Sequence, residues 1–301
     1  MPSKKRLIVV QGPTACGKTA LSISLAKHFN TEILSADSRQ FYKEMEIGTA
    51  KPSLHELQEV PHHFINSHSI HHLITAGEYE QQALHLLDKL FQKLNTIVLV
   101  GGSGMFVDAL VDGLDPVPTD ESIREKLNKR FENEGISDLV QELISLDESA
   151  KHTIDLNNPH RVIRALEVVL ITGKSISSLK NRTPKKRFFT IDRFAIDLPR
   201  EVLYKRINKR VDIMLQEGLW EEVQTLHEQK HLKTLQTVGY QEFFEHIDGA
   251  IPFEEAIELV KRNSRRYAKR QLTWLRRTKD IHWLEGQTVE TQVNEILKTL
   301  K

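Results

Sequence analysis

A single cysteine, Cys16, stands among 301 residues, which excludes an internal disulfide and a cysteine-ligated zinc module alike. Long apolar runs are missing too. No stretch of roughly 18 uninterrupted apolar residues occurs, and no charged-then-apolar leader with a small-residue cleavage site is present. Neither a membrane span nor export is indicated, so a cytoplasmic protein is expected. There is no excess of one charge, since 42 Lys and Arg face 41 Asp and Glu for a net charge of +1. The balance hides an uneven distribution, with basic residues gathered in the second half. No internal repeat, low-complexity tract or heptad seam appears, and a monomer is expected. What is present, 39% hydrophobic residues, can build one large α/β domain or two smaller ones.

The chain is organised around its first strand-like run. Leu7-Ile8-Val9-Val10 feeds Gly12-Pro13-Thr14-Ala15-Cys16-Gly17-Lys18-Thr19, and a helix follows at once. That context turns a glycine pattern into a phosphate cradle: backbone N–H groups converge, the new helix adds its positive end, and Lys18 adds a full charge. Thr19 offers a hydroxyl where a phosphate-bound Mg²⁺ takes a ligand, because hard cations prefer oxygen. Cys16, at a helix start beside Lys18, is expected to favour its thiolate.

A second strand, Glu32 to Ala36, ends in Asp37. Ligands of open parallel sheets sit beyond the carboxyl ends of strands, so Asp37 should face the same crevice. It could hold Mg²⁺ through water or act as a base toward a substrate beside the phosphates. His62, His63, His68, His71 and His72 crowd the next stretch without acidic residues at ligand spacings, which favours solvated or hydrogen-bonding histidines over a metal site. A helix is expected from Ala76 to Leu94. The strand Thr96 to Val100 then ends in Gly101-Gly102-Ser103-Gly104, where an ordinary P-loop ATPase places an acid. Glycines there suggest close approach of a ligand backbone and argue against an ATPase.

Asp115 to Asp120 reads as a hinge, after which Ser122–Glu134, Ile136–Leu146 and Pro159–Thr172 are helical. The expected architecture is α/β, a P-loop NTPase-like parallel sheet core flanked by helices, formed by residues 1–117 and 187–301. A helical insertion domain, 118–186, interrupts it. Arg161, Arg164, Lys174, Lys180, Arg182, Lys185, Lys186 and Arg187 make its exit basic, which raises the prospect of a polyanionic partner. After a strand from Phe188 to Ile196, the helix Glu201–Leu215 carries Leu203, Ile207, Val211 and Leu215 on one stripe. Arg206 and Arg210, four apart, can reach one anion together. A helix from Phe253 to Thr278 is strongly basic, with Tyr267 and Trp274 interleaved as flat surfaces, as a nucleic-acid backbone would favour.

Taken in order, Gly-Pro-Thr-Ala-Cys-Gly-Lys-Thr, Asp-Ser-Arg-Gln-Phe-Tyr, Ile-Gly-Thr-Ala-Lys-Pro, Val-Gly-Gly-Ser-Gly-Met-Phe, Arg-Val-Ile-Arg-Ala-Leu-Glu-Val, Val-Gly-Tyr-Gln and Ala-Lys-Arg-Gln-Leu-Thr-Trp-Leu-Arg span nearly the whole chain. The series closely resembles the tRNA dimethylallyltransferase, or tRNA isopentenyl transferase, family. The resemblance implies transfer of a dimethylallyl group from dimethylallyl diphosphate to N6 of the adenosine immediately 3′ of the anticodon, in tRNAs that read codons beginning with U. Its partners would be the tRNA anticodon stem-loop and the prenyl diphosphate, with Mg²⁺ as cofactor.

Residue by residue, the resemblance makes Asp37 the base, and Lys18, Thr19 and the amides of Gly12 to Thr19 the diphosphate site. Arg210 is the second arginine of an Arg-x-x-x-Arg pair over the leaving group. It implies tRNA contacts at Asp37, Ser38, Arg39 and Gln40, at Ser103 and Arg124, and at His160, Arg161, Val162, Ile163 and Arg164. Further contacts would fall at Gln236, Thr237, Val238, Gly239, Tyr240 and Gln241, and at Lys269, Arg270, Gln271, Leu272, Thr273, Trp274, Leu275 and Arg276. Cys16 stands for the family's usual serine, Ser103 for a threonine and His160 for a common glutamine; Phe41 fills a variable position. The missing cysteine-ligated zinc finger points to the bacterial type. Competing readings are a free-adenylate isopentenyltransferase and a small-molecule P-loop kinase with Asp37 as base toward a hydroxyl.

Overall fold

The computed structural model describes residues 5–180 and 183–301, so Arg182 of the basic exit lies outside the described residues. The chain divides into two compact units, Met1–Val111 with Lys186–Lys301, and Asp112–Lys185. In the first, β1 (Arg6–Gln11) leads to α1 (Lys18–Phe29), β2 (Ile33–Ser35), α2 (Leu54–Glu59), β3 (His62–His63), α3 (Ala76–Phe91), β4 (Thr96–Gly101) and α4 (Gly104–Val111). The second unit holds α5 (Glu121–Glu134), α6 (Ser137–Leu146), α7 (Ala150–Thr153), α8 (Pro159–Thr172) and α9 (Ile176–Leu179). The first resumes with β5 (Thr190–Ile196), α10 (Arg200–Gln216), α11 (Leu219–Leu226), α12 (Gln241–Ile247), α13 (Phe253–Leu275), β6 (Ile281–Leu284) and α14 (Val289–Thr299).

The six strands form one sheet in the order β3-β2-β4-β1-β5-β6, and every pairing is parallel. Leu7, Ile8, Val9 and Val10 of β1 are wholly buried, because helices cover both faces of the sheet and such strands read as continuous apolar runs. Leu7 and Val9 join the core beneath α3, α11 and α12, while Ile8 and Val10 join that of α1, the start of α10 and α14. Register pairs Gln11 with Gly101 and Ser35 with Val100, so the chain leaves β1, β2 and β4 at one edge of the sheet. That edge positions the site. The second unit packs Leu127, Leu139, Leu143, Val162 and Leu166 into a core of its own.

Several boundaries move. β5 begins at Thr190 because Phe188 and Phe189 turn aside to pack on Phe91. The α10 stripe closes on Met214, not Leu215, since a 3.6-residue period drifts off a strict four-residue spacing. α13 stops at Leu275, and Arg277 and Thr278 complete its end with tighter i→i−3 bonds.

Candidate active site

The loop between β1 and α1 needs glycine for backbone conformation. Gly17 lies at φ 104° as the N-cap of α1, in a left-handed region hostile to side chains, although a Cβ there would meet no atom within 4 Å. The α1 N-terminus has no side-chain cap and no acid in its first turn, so its free amides face the cleft unneutralised. Lys18 Nζ donates to the carbonyls of Gly12 (3.0 Å) and Pro13 (2.8 Å), which uses two of its three N–H groups. Arg210, half-buried, donates through Nη2 to Thr14 Oγ1. Burial draws its guanidinium below the ordinary arginine range, and the charge of Asp37 opposes the shift.

Cys16 departs from expectation. Its side chain is buried at 3% exposure, and burial pushes the thiol up, outweighing Lys18, so the thiolate is disfavoured.

Asp37 follows β2 and lines a cleft of about 420 Å³ together with Lys18, Thr19, Gln40, Thr49 and Arg210. Its orientation is set locally: Asp37 N donates to Ser35 Oγ (3.3 Å), and Asp37 Oδ1 accepts from Arg39 N (3.1 Å) in an Asx turn. Arg206 also lines the cleft, but from an exposed position one helical turn before Arg210. The Thr49–Ala50 wall is held by Gln40 Nε2, which donates to both carbonyls (3.3 and 3.0 Å). Behind it, Glu222 of α11 accepts from Glu46 N, Ile47 N and Gly48 N (2.9, 2.7 and 3.0 Å) and from the Tyr240 hydroxyl at 2.6 Å. Gly48 lies so close to the Tyr240 ring that a Cβ would stand 2.5 Å from its hydroxyl.

The glycines after β4 serve packing within the protein, which corrects the expectation of a ligand backbone there. A Cβ on Gly101 would approach the Ala36 carbonyl to 2.7 Å, one on Gly102 would meet Gln271 Nε2 at 2.4 Å, and one on Gly104 would meet Trp274 Cδ1 at 2.4 Å. Gln271 braces both loops, accepting from Thr14 N (2.8 Å) and donating to the Gly102 carbonyl (2.9 Å). In the sequence Gln271 is marked only as part of the interval expected at tRNA; the one signal of another role is an uncharged amide within a strongly basic run. Ser103 Oγ donates to Ser38 Oγ and accepts from Ser38 N, both at 3.1 Å. Tyr267, expected as a flat surface for RNA, hydrogen-bonds Ser103, and its hydroxyl is pushed up to about 12 by burial and then by the nearby charge of Asp37.

The remaining residues expected at tRNA divide by exposure. On α13, Lys269, Arg270, Thr273 and Trp274 are exposed, and so is Arg276 just beyond it, whereas Gln271 and Leu275 are buried and Leu272 is half-buried. The Trp274 indole is fixed by donation to Asp108 Oδ2 (2.7 Å), and Arg193 pairs with Asp108 at 2.6 Å. Gln236 and Gln241 are exposed, Thr237 and Val238 half-buried, Gly239 and Tyr240 buried. Arg39 donates to the Thr234 carbonyl (2.9 Å). Within the second unit, His160 and Arg161 are exposed, but Val162 and Ile163 are core residues whose side chains cannot reach RNA. Arg124 and Arg164 converge on Glu167, a wholly buried carboxylate, at 2.9 and 2.8 Å. Among the described residues no three His, Cys, Asp or Glu side chains gather as a metal cluster; His63 and His72 bind Glu32 and Glu78 instead. No described helix is long and apolar enough to cross a membrane.

Comparison with known proteins gives a consistent result. The model of a family described as IPP transferase matches residues 40–278. A tRNA dimethylallyltransferase of Cytophaga hutchinsonii is 49% identical over 288 residues, 95% of each chain, and one of Christiangramia forsetii is 49% identical over 280 residues, 93% of each. Among solved structures, the tRNA isopentenylpyrophosphate transferase of Bacillus halodurans is 35% identical with a TM-score of 0.73, covering 99% of this chain and 96% of that one. A eukaryotic dimethylallyltransferase, solved acting on tRNA, is 26% identical with a TM-score of 0.80, over 98% of this chain and 80% of that one.

Proposed function

The chain belongs to the IPP transferase family, and from that premise we propose how it transfers a dimethylallyl group from dimethylallyl diphosphate to N6 of the adenosine immediately 3′ of a tRNA anticodon. The observation that carries the reading is that Asp37, Lys18, Thr19 and Arg210 line one cleft. An adenine amine is a poor nucleophile, and diphosphate leaves reluctantly, so both ends of the displacement need help. Asp37 accepts a hydrogen bond and then the proton from N6, a positioned base worth about 10² to 10⁴ in rate. Lys18, Arg210 and the loop amides meet the charge that grows on the departing diphosphate; one such fixed donor is commonly worth about 10² to 10³. Ala50 and Ile213 supply apolar surface in the same cleft, shielding the allylic carbon from water. An anticodon-loop base gives up less stacking than a duplex base when it is turned into a pocket.

The donor set fits a hard divalent cation such as Mg²⁺. Thr19 offers a hydroxyl and Asp37 a carboxylate in the one cleft, both oxygen donors of the kind a hard cation prefers. When bound, the ion supplies further charge neutralisation to the leaving group. The exposed residues Lys269, Arg270, Thr273, Trp274 and Arg276 offer the basic and aromatic face for the tRNA backbone and unstacked bases.

Incubating the full chain with dimethylallyl diphosphate, Mg²⁺ and bulk tRNA, then digesting the RNA, should yield N6-dimethylallyladenosine. Prenylation of AMP in preference to tRNA, or transfer of γ-phosphate label from ATP, would replace this reading with one of its competitors.

A further inference from the structure

A second cavity, of about 30 Å³, shares Lys18, Thr19, Asp37 and Gln40 with the cleft and adds Ser35 and His62 to its lining. That space suffices for one or two waters. His62 Nδ1 lies 2.7 Å from the Val60 carbonyl, and a carbonyl only accepts, so Nδ1 carries the hydrogen. The Nε2 atom of the neutral ring is therefore an acceptor. It is buried and has no hydrogen-bond partner, a condition that calls for an explanation in a folded protein. Burial lowers the pKa of His62, which keeps the ring neutral and that lone pair available.

The end of β4 cannot serve this purpose. Gly101 also lines the small cavity, and any side chain there would collide with the Ala36 carbonyl at 2.7 Å. A P-loop site without an acid after this strand must find acceptors for a cation's waters on its other flank, where β2 delivers Asp37 and β3, paired to it through Ile33 and His62, delivers the imidazole. We propose that His62 Nε2 accepts a hydrogen bond from a water in the coordination shell of the divalent cation held at Thr19, making His62 a positioning residue for that ion. The inference rests on the proposed reading of Thr19 as the cation's protein ligand. The neutral imidazole, by accepting from the water, fixes that water's orientation on the ion without adding charge.

The test measures Mn²⁺ affinity of the full chain with saturating inorganic diphosphate, following free Mn²⁺ by electron paramagnetic resonance. His62→Phe, which keeps the ring's bulk and removes the acceptor, should weaken Mn²⁺ by about 10- to 100-fold. His62→Gln, whose amide oxygen can take the place of Nε2, should recover most of the loss, and diphosphate affinity without metal should be unchanged in both. If Thr19→Ala loses Mn²⁺ while His62→Phe binds it like wild type, the role of His62 is overturned and the cation site stands. If Thr19→Ala also binds Mn²⁺ normally, the cation reading itself is overturned. Should His62→Phe fail to fold, the ¹⁵N resonance of Nε2 in the wild-type diphosphate complex decides: it should shift on addition of Mg²⁺, and an unmoved resonance overturns the proposal.

Discussion

Two glycine-bearing segments lie at neighbouring strand ends of this sheet, Gly12–Thr19 after β1 and Gly101–Gly104 at the end of β4; Gly12 is packed against Cys16 like the glycines of the second, whereas Gly17 serves backbone conformation alone. In the first, Gly17 adopts a left-handed conformation with open space where a side chain would stand. In the second, the glycines make room for Ala36, Gln271 and Trp274. The first segment, with Asp37 beside it, faces the open cleft, and Gly101 of the second lines the small cavity that adjoins it. The same residue type therefore marks a binding loop at Gly17 and a packing seam at Gly101, Gly102 and Gly104, with Gln271 of α13 bracing both loops.

Four sets of substitutions or modifications test how the two segments differ. Asp37→Asn keeps an acceptor for Arg39 N but no longer takes a proton, and should cost about 10² to 10⁴ in single-turnover rate with tRNA affinity little changed. A wild-type rate would detach the chemistry from the first segment. Gly104→Ala drives a methyl against the Trp274 ring and should cost about 1–3 kcal/mol in urea unfolding. Made in a Trp274→Ala background, the same change should cost almost nothing, and an equal cost in both backgrounds would show that Gly104 answers to something other than the seam. Replacing Lys269 and Arg270 with glutamine should flatten the salt dependence of tRNA binding by a slope of about 1.4 to 1.8 if each meets one phosphate. An unaltered slope would remove α13 from the RNA. The smallest effect belongs to Cys16: since burial raises its pKa, alkylation at neutral pH should be slow, rising only as the pH approaches the elevated value, and Cys16→Ser should remain near wild type in activity. Rapid alkylation at neutral pH, read by mass spectrometry, would mean the first segment opens around Cys16.

The phosphate loop and Asp37 were legible in the sequence because their logic is local, whereas Arg210, 196 residues from the Thr14 hydroxyl it meets, was placed there by the family resemblance. A phosphate loop needs contiguous residues, and Asp37 needs only to end the next strand of a parallel sheet. The seam was not legible, because it depends on side chains that lie some 170 residues away along the chain, such as Gln271 against Gly102. Of the short elements, α11 had a readable signal in Leu219, Val223 and Leu226, which are buried at helical spacing. By contrast, α2 buries no residue and is defined by a capping box between Ser53 and Glu56, too small a pattern to stand out. Residues 160–164 do not act as a single contact interval, because a helix divides any such stretch between inside and outside, and Val162 and Ile163 fall inside.

One carboxylate sets how freely the cleft can adapt. Glu222 gathers three successive amides of the 46–48 turn and the Tyr240 hydroxyl onto two oxygens. Those amide protons should exchange with solvent as a group, and only when α11 itself lifts away, rather than one at a time by local fraying. A turn anchored in this manner moves only with the helix that holds it, so the cleft wall that continues from it at Thr49 and Ala50 is set as the chain folds.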